Sequence, residues 1–79
     1  MNIEFINSTN HFFPEVITLG KKNSATLGFM PDGGFEDHAN KNAIIIAHND
    51  ADLCGYLMFR EVPRYSRVSI AHLCVNDEF

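Results

Sequence analysis

The 79-residue chain predicts an α+β fold: a short N-terminal strand, two helices, then a three-stranded antiparallel sheet. Three observations carry this. Helical signals are confined to the first half, where Pro, Gly and capping-type residues bracket short apolar periodicities. Extended signals fill the second half, where β-branched and aromatic runs follow one another from Ala43 to Val75. Short polar turns join those runs, as antiparallel neighbours require.

Asn2 to Ile6 alternates and is short, which suits an edge strand. Asn7-Ser-Thr-Asn10 breaks the alternation with side chains suited to capping a helix. The first helix is predicted from Phe12 to Gly20, with Pro14 in its first turn, Phe13, Val16 and Ile17 on one face, and Gly20 with the following Lys-Lys-Asn-Ser as its stop. Residues 23–30 read as a short helical turn and a loop, because Gly28 and Pro31 interrupt any regular element. Pro31 opens a second helix to about Asn40, where Phe35 and Ala39 share a face.

Ala43-Ile-Ile-Ile-Ala47 is continuous and β-branched, His48 to Asp52 is a polar turn, and Leu53 to Val62 is the next strand. Early in that strand Cys54, Tyr56 and Met58 alternate with Leu53, Leu57 and Phe59, so both faces are apolar. After the turn at Pro63-Arg-Tyr-Ser66, Val68 to Val75 reads as a strand buried on both faces. Such a sheet calls for a layer on each side. With a three-residue loop at that turn, Cys54 and Cys74 fall opposite one another. Two buried thiols acting as small hydrophobes, or a disulfide, both fit that placement, and the first is favoured in a reducing compartment.

A chain of this length forms one small domain that buries only about 60–65% of the surface its unfolded form exposes. Its 46% hydrophobic content is enough to offset chain entropy, which excludes a disordered class. The net charge of -4 and the lack of a clustered basic face argue against nucleic acid. Residues 1–13 hold no Lys or Arg and no run reaches the ~18 apolar residues of a membrane span, so neither a signal peptide nor a membrane partner is expected. A cytoplasmic location is the default. His11, His38, His48 and His72 show no ligand spacing with each other or with the cysteines, and no metal is expected.

The segment Leu19-Gly-Lys-Lys-Asn-Ser-Ala-Thr-Leu-Gly-Phe-Met-Pro-Asp-Gly-Gly-Phe35 resembles a recurring pattern of GNAT-superfamily N-acetyltransferases, approximately Leu-Gly-x-x-Asn-Ser-x-Thr-Leu-Gly-Phe-Leu-Pro-x-Gly-Ala-Phe. Ile44-Ile-Ile-Ala47, Cys54-Gly-Tyr-Leu-Met-Phe-Arg60 and Ser69-Ile-Ala-His-Leu-Cys-Val75 resemble its second, third and fourth strands. The likeness spans nearly the whole chain and is most specific over residues 19–35. It implies an N-terminal portion of that fold, ending before the family's Gln/Arg-x-x-Gly-x-Gly/Ala loop, and acetyl-CoA as cofactor. Backbone groups of Leu73, Cys74 and Val75 take the position that holds the acyl carbonyl and pantetheine arm. N–H groups unpaired by the sheet can polarise a thioester carbonyl there. No part of the chain matches the pyrophosphate loop, which would offer N–H groups at a helix start.

Phe29 and Met30 fall in the loop that helps line the acceptor groove in that family; packing between helix and sheet is the competing role. His72 is the candidate base for an acceptor amine, its ordinary titration range suiting neutral pH. It is read on a strand face with Val68, Ile70 and Cys74, where a hydrogen-bonded core histidine is the favoured alternative. Glu61 and Glu78 are further candidates, each also readable as a solvated charge. The implied reaction is attack of an amine on the acetyl-CoA thioester, with the chain alone inactive. Two alternatives stand beside it: a non-catalytic module that self-associates or binds a partner through an open sheet edge, and a gene fragment without a function of its own. A homodimer, or completion by a C-terminal half, is expected in either case. The codons after Phe79 separate fragment from module.

Overall fold

The polar segment after the first strand is built from side chains that bond their own backbone. Asn7 Oδ1 accepts the N–H of Thr9 at 2.9 Å, and Asn10 Oδ1 accepts that of Phe12 at 2.8 Å. These Asx turns direct the chain into a helix. The computed structural model describes residues 1–78 and runs β1 (Asn2–Ile6), α1 (Phe13–Lys22), α2 (Ser24–Leu27), α3 (Asp32–Asn40), β2 (Ile44–Asn49), β3 (Asp52–Val62), a 3-10 turn (Pro63–Tyr65) and β4 (Arg67–Val75). The fold is α+β. All four strands form one antiparallel sheet in the order β1-β2-β3-β4, so β1 joins the three-stranded meander at one edge and β4 is the other.

α1 passes Gly20 by two residues, to Lys22, and closes within the expected stop at Asn23, whose N–H and Nδ2 both donate to the Leu19 carbonyl, at 3.2 and 2.9 Å. Gly20 serves close approach instead: a Cβ there would lie 2.6 Å from Tyr56 Oη and 2.7 Å from Phe35 Cζ. The short helical turn after it is α2, and Gly28 ends it at φ 87, ψ 154, a conformation open almost only to glycine.

The helices cover one face of the sheet. Phe12, Phe13, Val16 and Leu19 at α1, with Phe35 and Ala39 of α3, close over Ile6, Ile44, Ile46, Tyr56, Met58 and Cys74. Phe12, Phe35, Ile44, Ile46, Met58 and Val16 are fully buried. Each such burial is worth roughly 1.5–3 kcal/mol, and this layer is the core.

The other face is uncovered, which corrects the expectation of a β4 buried on both sides: Val68, Ile70, Leu73 and Val75 are exposed by 56–67%. Two register shifts decide which residues share that face. One, between Ala47 and His48 of β2, leaves Cys54 as an extra residue in β3 and turns Leu53 toward the helices beside His48. The second, between Met58 and Phe59, leaves Ala71 as the extra residue in β4. His72 therefore shares its face with Cys74 but not with Val68 and Ile70. The loop at residues 63–66 is four residues long and Cys74 pairs with Tyr56, so the two cysteines are not opposite; both are buried free thiols.

Candidate functional site

The C-terminal end of β4 is held by Asn76. Its N–H donates to the Cys54 carbonyl at 2.8 Å and its Nδ2 to the Leu53 carbonyl at 3.0 Å. This bond fixes the ladder's phase. In an antiparallel pair alternate residues exchange backbone bonds with the neighbour, so Cys74, like Asn76, turns its backbone groups toward β3. Those of Leu73 and Val75 point away from β3, toward the edge where no strand pairs. Of the three β4 residues singled out by sequence, two present free edge amides and Cys74 does not.

Beneath this edge, on the helix side, His72 is buried and its Nδ1 lies in a 3.2 Å hydrogen bond with Tyr56 Oη. The ring meets Phe35 edge-on, with centroids 6.0 Å apart. Burial, and then the charge of His38, hold the His72 imidazole below its ordinary range, so it is neutral near pH 7. Burial, and then Cys74, push the Tyr56 hydroxyl far up, and burial followed by Asp77 raises the Cys74 thiol. The pair is a closed neutral hydrogen bond of the core. His72 has the protonation state of a base but no opening to solvent, and it lies on the opposite face from the Leu73 and Val75 side chains.

α2 packs against β4, so the loop that leaves it stands on the β4 side of the sheet. There Met30 packs against the core, whereas Phe29 is 78% exposed and does not fill the helix-sheet gap. Glu61 is exposed at the far end of β3, paired with Val68. Glu78 is exposed beyond β4, its N–H donating to Asn76 Oδ1 at 3.2 Å. Neither reaches the His72–Tyr56 pair.

Two features escaped the sequence reading. Tyr56 as partner of His72 depends on the Ala71 bulge, which no local pattern marks. The second is a pair at the other edge: Glu4 Oε2 and His48 Nε2 are 2.8 Å apart, with Phe12 stacked on the imidazole at 4.7 Å. The His48 hydrogen bond is the main reason the Glu4 carboxyl titrates below its ordinary value. A charged residue inside an alternating strand was the available signal, but its partner lies 44 positions away. Among the described residues no group of three or more His, Cys, Asp or Glu is placed to hold a metal ion, and no helix is long and apolar enough to cross a membrane.

No family model matches the chain, and no curated protein or solved structure matches it significantly. Chemically, the β4 edge offers two outward backbone donors beside an apolar groove of about 570 Å³ lined by Leu57, Leu73, Val75 and neighbours. Such a place can accept a carbonyl oxygen and an extended, partly apolar chain.

Proposed function

We propose that this chain is the N-terminal portion of a GNAT-type N-acetyltransferase, and that the free edge of β4 is where acetyl-CoA would lie. The observation that carries the reading is the outward direction of the Leu73 and Val75 amides, with the 19–35 resemblance behind it. When bound, acetyl-CoA supplies a thioester whose carbonyl carbon an acceptor amine can attack. The chain's part is to hold the pantetheine arm like an added strand and to aim an N–H at the carbonyl oxygen, where negative charge develops. Phe29, exposed on the β4 side, is the acceptor-facing residue of this reading; Met30 serves packing. No residue is assigned as base, because His72 is sealed and Glu61 and Glu78 stand away from it. The pyrophosphate finds no glycine-rich loop in these 79 residues, so binding is weak and the chain alone does not turn over.

Amide NMR titration tests this. Acetyl-CoA at millimolar concentration should shift the Leu73 and Val75 amides, with adenosine 3′,5′-bisphosphate leaving them in place. Micromolar or tighter binding, about -8 kcal/mol, would mean a phosphate site exists elsewhere, and shifts confined to other residues would remove the β4 assignment. A non-catalytic, self-associating module is the second reading, favoured by the uncovered apolar face of the sheet.

A further inference from the structure

The register places ten residues in three central cross-strand rows of the uncovered face, flanked by Asn49 with Asp52 at one end and Glu61 with Val68 at the other. Ile3, Ala47, Gly55 and Val75 form one, Phe5, Ile45, Leu57 and Leu73 the next, and Phe59 with Ile70 the third. Not one is polar. Phe5 and Phe59 meet edge-on with centroids 6.3 Å apart, so the rows are already packed to one another. Yet Ile3, Phe5, Ile70, Leu73 and Val75 remain 56–67% exposed.

We infer that this face is a homodimer interface, on which two copies pack sheet against sheet about a two-fold axis and leave the β4 edge open. Area is the first argument. At roughly 200 Å² for a large side chain, those five residues alone expose on the order of 600 Å². The half-buried Ile45, Leu57 and Phe59 bring the face toward the ~800 Å² each partner gives a standard interface.

Shape and charge select the occupant. An antiparallel sheet with one face already packed on helices accepts a second sheet at about 30°, the geometry of sandwiches. A two-fold interface needs a self-complementary patch, and central rows that carry no charge meet their own copy without repulsion despite the net charge of -4, with Asp52 and Glu61 only at the two ends of the face. That same acidic balance disfavours an anionic lipid surface, which recruits basic rims. Pairing β4 with β4 would satisfy the edge but leave the rows in water. The dimer does not rest on the acetyl-transfer reading: the face-to-face form leaves the Leu73 and Val75 amides free, which strand pairing would consume, but it fills the apolar groove beside them and takes the place of the layer that a C-terminal half would supply.

Sedimentation equilibrium of the full chain tests the interface, with Leu57→Lys at its centre and Ile3→Lys near its margin, and circular dichroism checks each fold. Wild type should be a closed dimer at micromolar concentration. Leu57→Lys should raise the dissociation constant at least ~30-fold, the scale of an interface hot spot. Should Leu57→Lys unfold, Ile3→Lys carries the same expectation. A folded wild-type monomer at that concentration overturns the inference. So does a dimer indifferent to both lysines, an open-ended aggregate, or a monomer that sediments with phosphatidylcholine vesicles. Hydrogen exchange adds an independent reading: Leu73 and Val75 amides that become protected on dimerisation would show edge pairing and overturn the face. Ligand titration reads the edge and sedimentation the face, so either proposal can fail alone.

Discussion

Beneath the helices the sheet carries His48, Tyr56 and His72 among its apolar residues, with Glu4 at the exposed rim, while the three central rows of the open face carry only aliphatic, aromatic and glycine positions. Polarity is thus inverted relative to coverage. The covered groups are tolerable because each meets a partner, Tyr56 with His72 at 3.2 Å inside the core and His48 with the exposed Glu4 at 2.8 Å, and a satisfied buried polar group costs little. Among the described residues two side-chain atoms, His48 Nδ1 of the sheet and His38 Nε2 of α3, are buried without a partner. The open face has no such remedy, since water cannot satisfy a methyl group. Only another apolar layer can. The difference teaches that the helix layer accounts for half of what this sheet's sequence asks for.

Adjacent residues on β3 give the sharpest way to break that comparison. Met58 is fully buried under the helices and Leu57, its neighbour, looks the other way. Met58→Ala should cost about 2–5 kcal/mol, the range for large-to-small changes in a packed core. Its effect on the urea midpoint should not depend on protein concentration. Leu57→Ala should cost under about 1 kcal/mol in dilute solution and more as the chain is concentrated. Equal, concentration-independent losses would mean the two faces are energetically alike.

A smaller effect is expected at the bend before α3. Nothing lies within 4 Å of a Cβ built on Gly28, so its constraint is conformational rather than steric. At φ 87 and ψ 154 a β-branched side chain is strained. Gly28→Val should lower stability by more than about 1 kcal/mol, read as a shift in thermal midpoint. An unchanged midpoint would show that the bend relaxes freely, and would detach the exposed Phe29 from any fixed position beside β4.

Local chemistry made the element order legible. Gly28 and Pro31 marked a break that the chain keeps, and the β-branched run at Ala43 to Ala47 marked a strand. Face assignment was not legible. Alternation is read with a period of two, and each bulge, at Cys54 and at Ala71, inverts everything beyond it. The Ala71 bulge separates His72 from the face of Ile70, whereas the two cysteines are kept from facing each other first by a turn of four residues instead of three. The stretch from Gly20 to Ser24 does hold the end of α1, but Gly20 itself serves another purpose: Tyr56 and Phe35 need the space, and only the assembled packing reveals that. At the candidate site, the edge position of β4 could be foreseen from chain order, whereas the direction of its amides required the Asn76 bond to Cys54.

The smallest effect is a pH dependence that should separate the two faces. His72 is held below the ordinary histidine value of 6.5, chiefly by burial. The unfolded chain therefore takes up the proton first as pH falls, so this stability is full above 6.5 and is lost progressively below it. Cys74 and Tyr56 are raised above their ordinary 9.0 and 10.0, again chiefly by burial. The unfolded chain releases those protons first, and their contribution, full below pH 9, declines as pH rises past it. The urea midpoint should accordingly be flat between about 6.5 and 9 and fall on either side. Glu4, depressed mainly by its bond to His48, acts in the same direction as His72 but below its ordinary 4.5, and its exposure leaves it screened. The three central rows of the open face carry no titratable group, so the dimer dissociation constant should stay constant across the flat window. His72→Gln should remove the loss between pH 6.5 and 5 while leaving the alkaline limb in place. A variant that keeps the full acid slope would show that another group drives it, and an association constant that moves between pH 7 and 8.5 would mean that charged residues reach the interface.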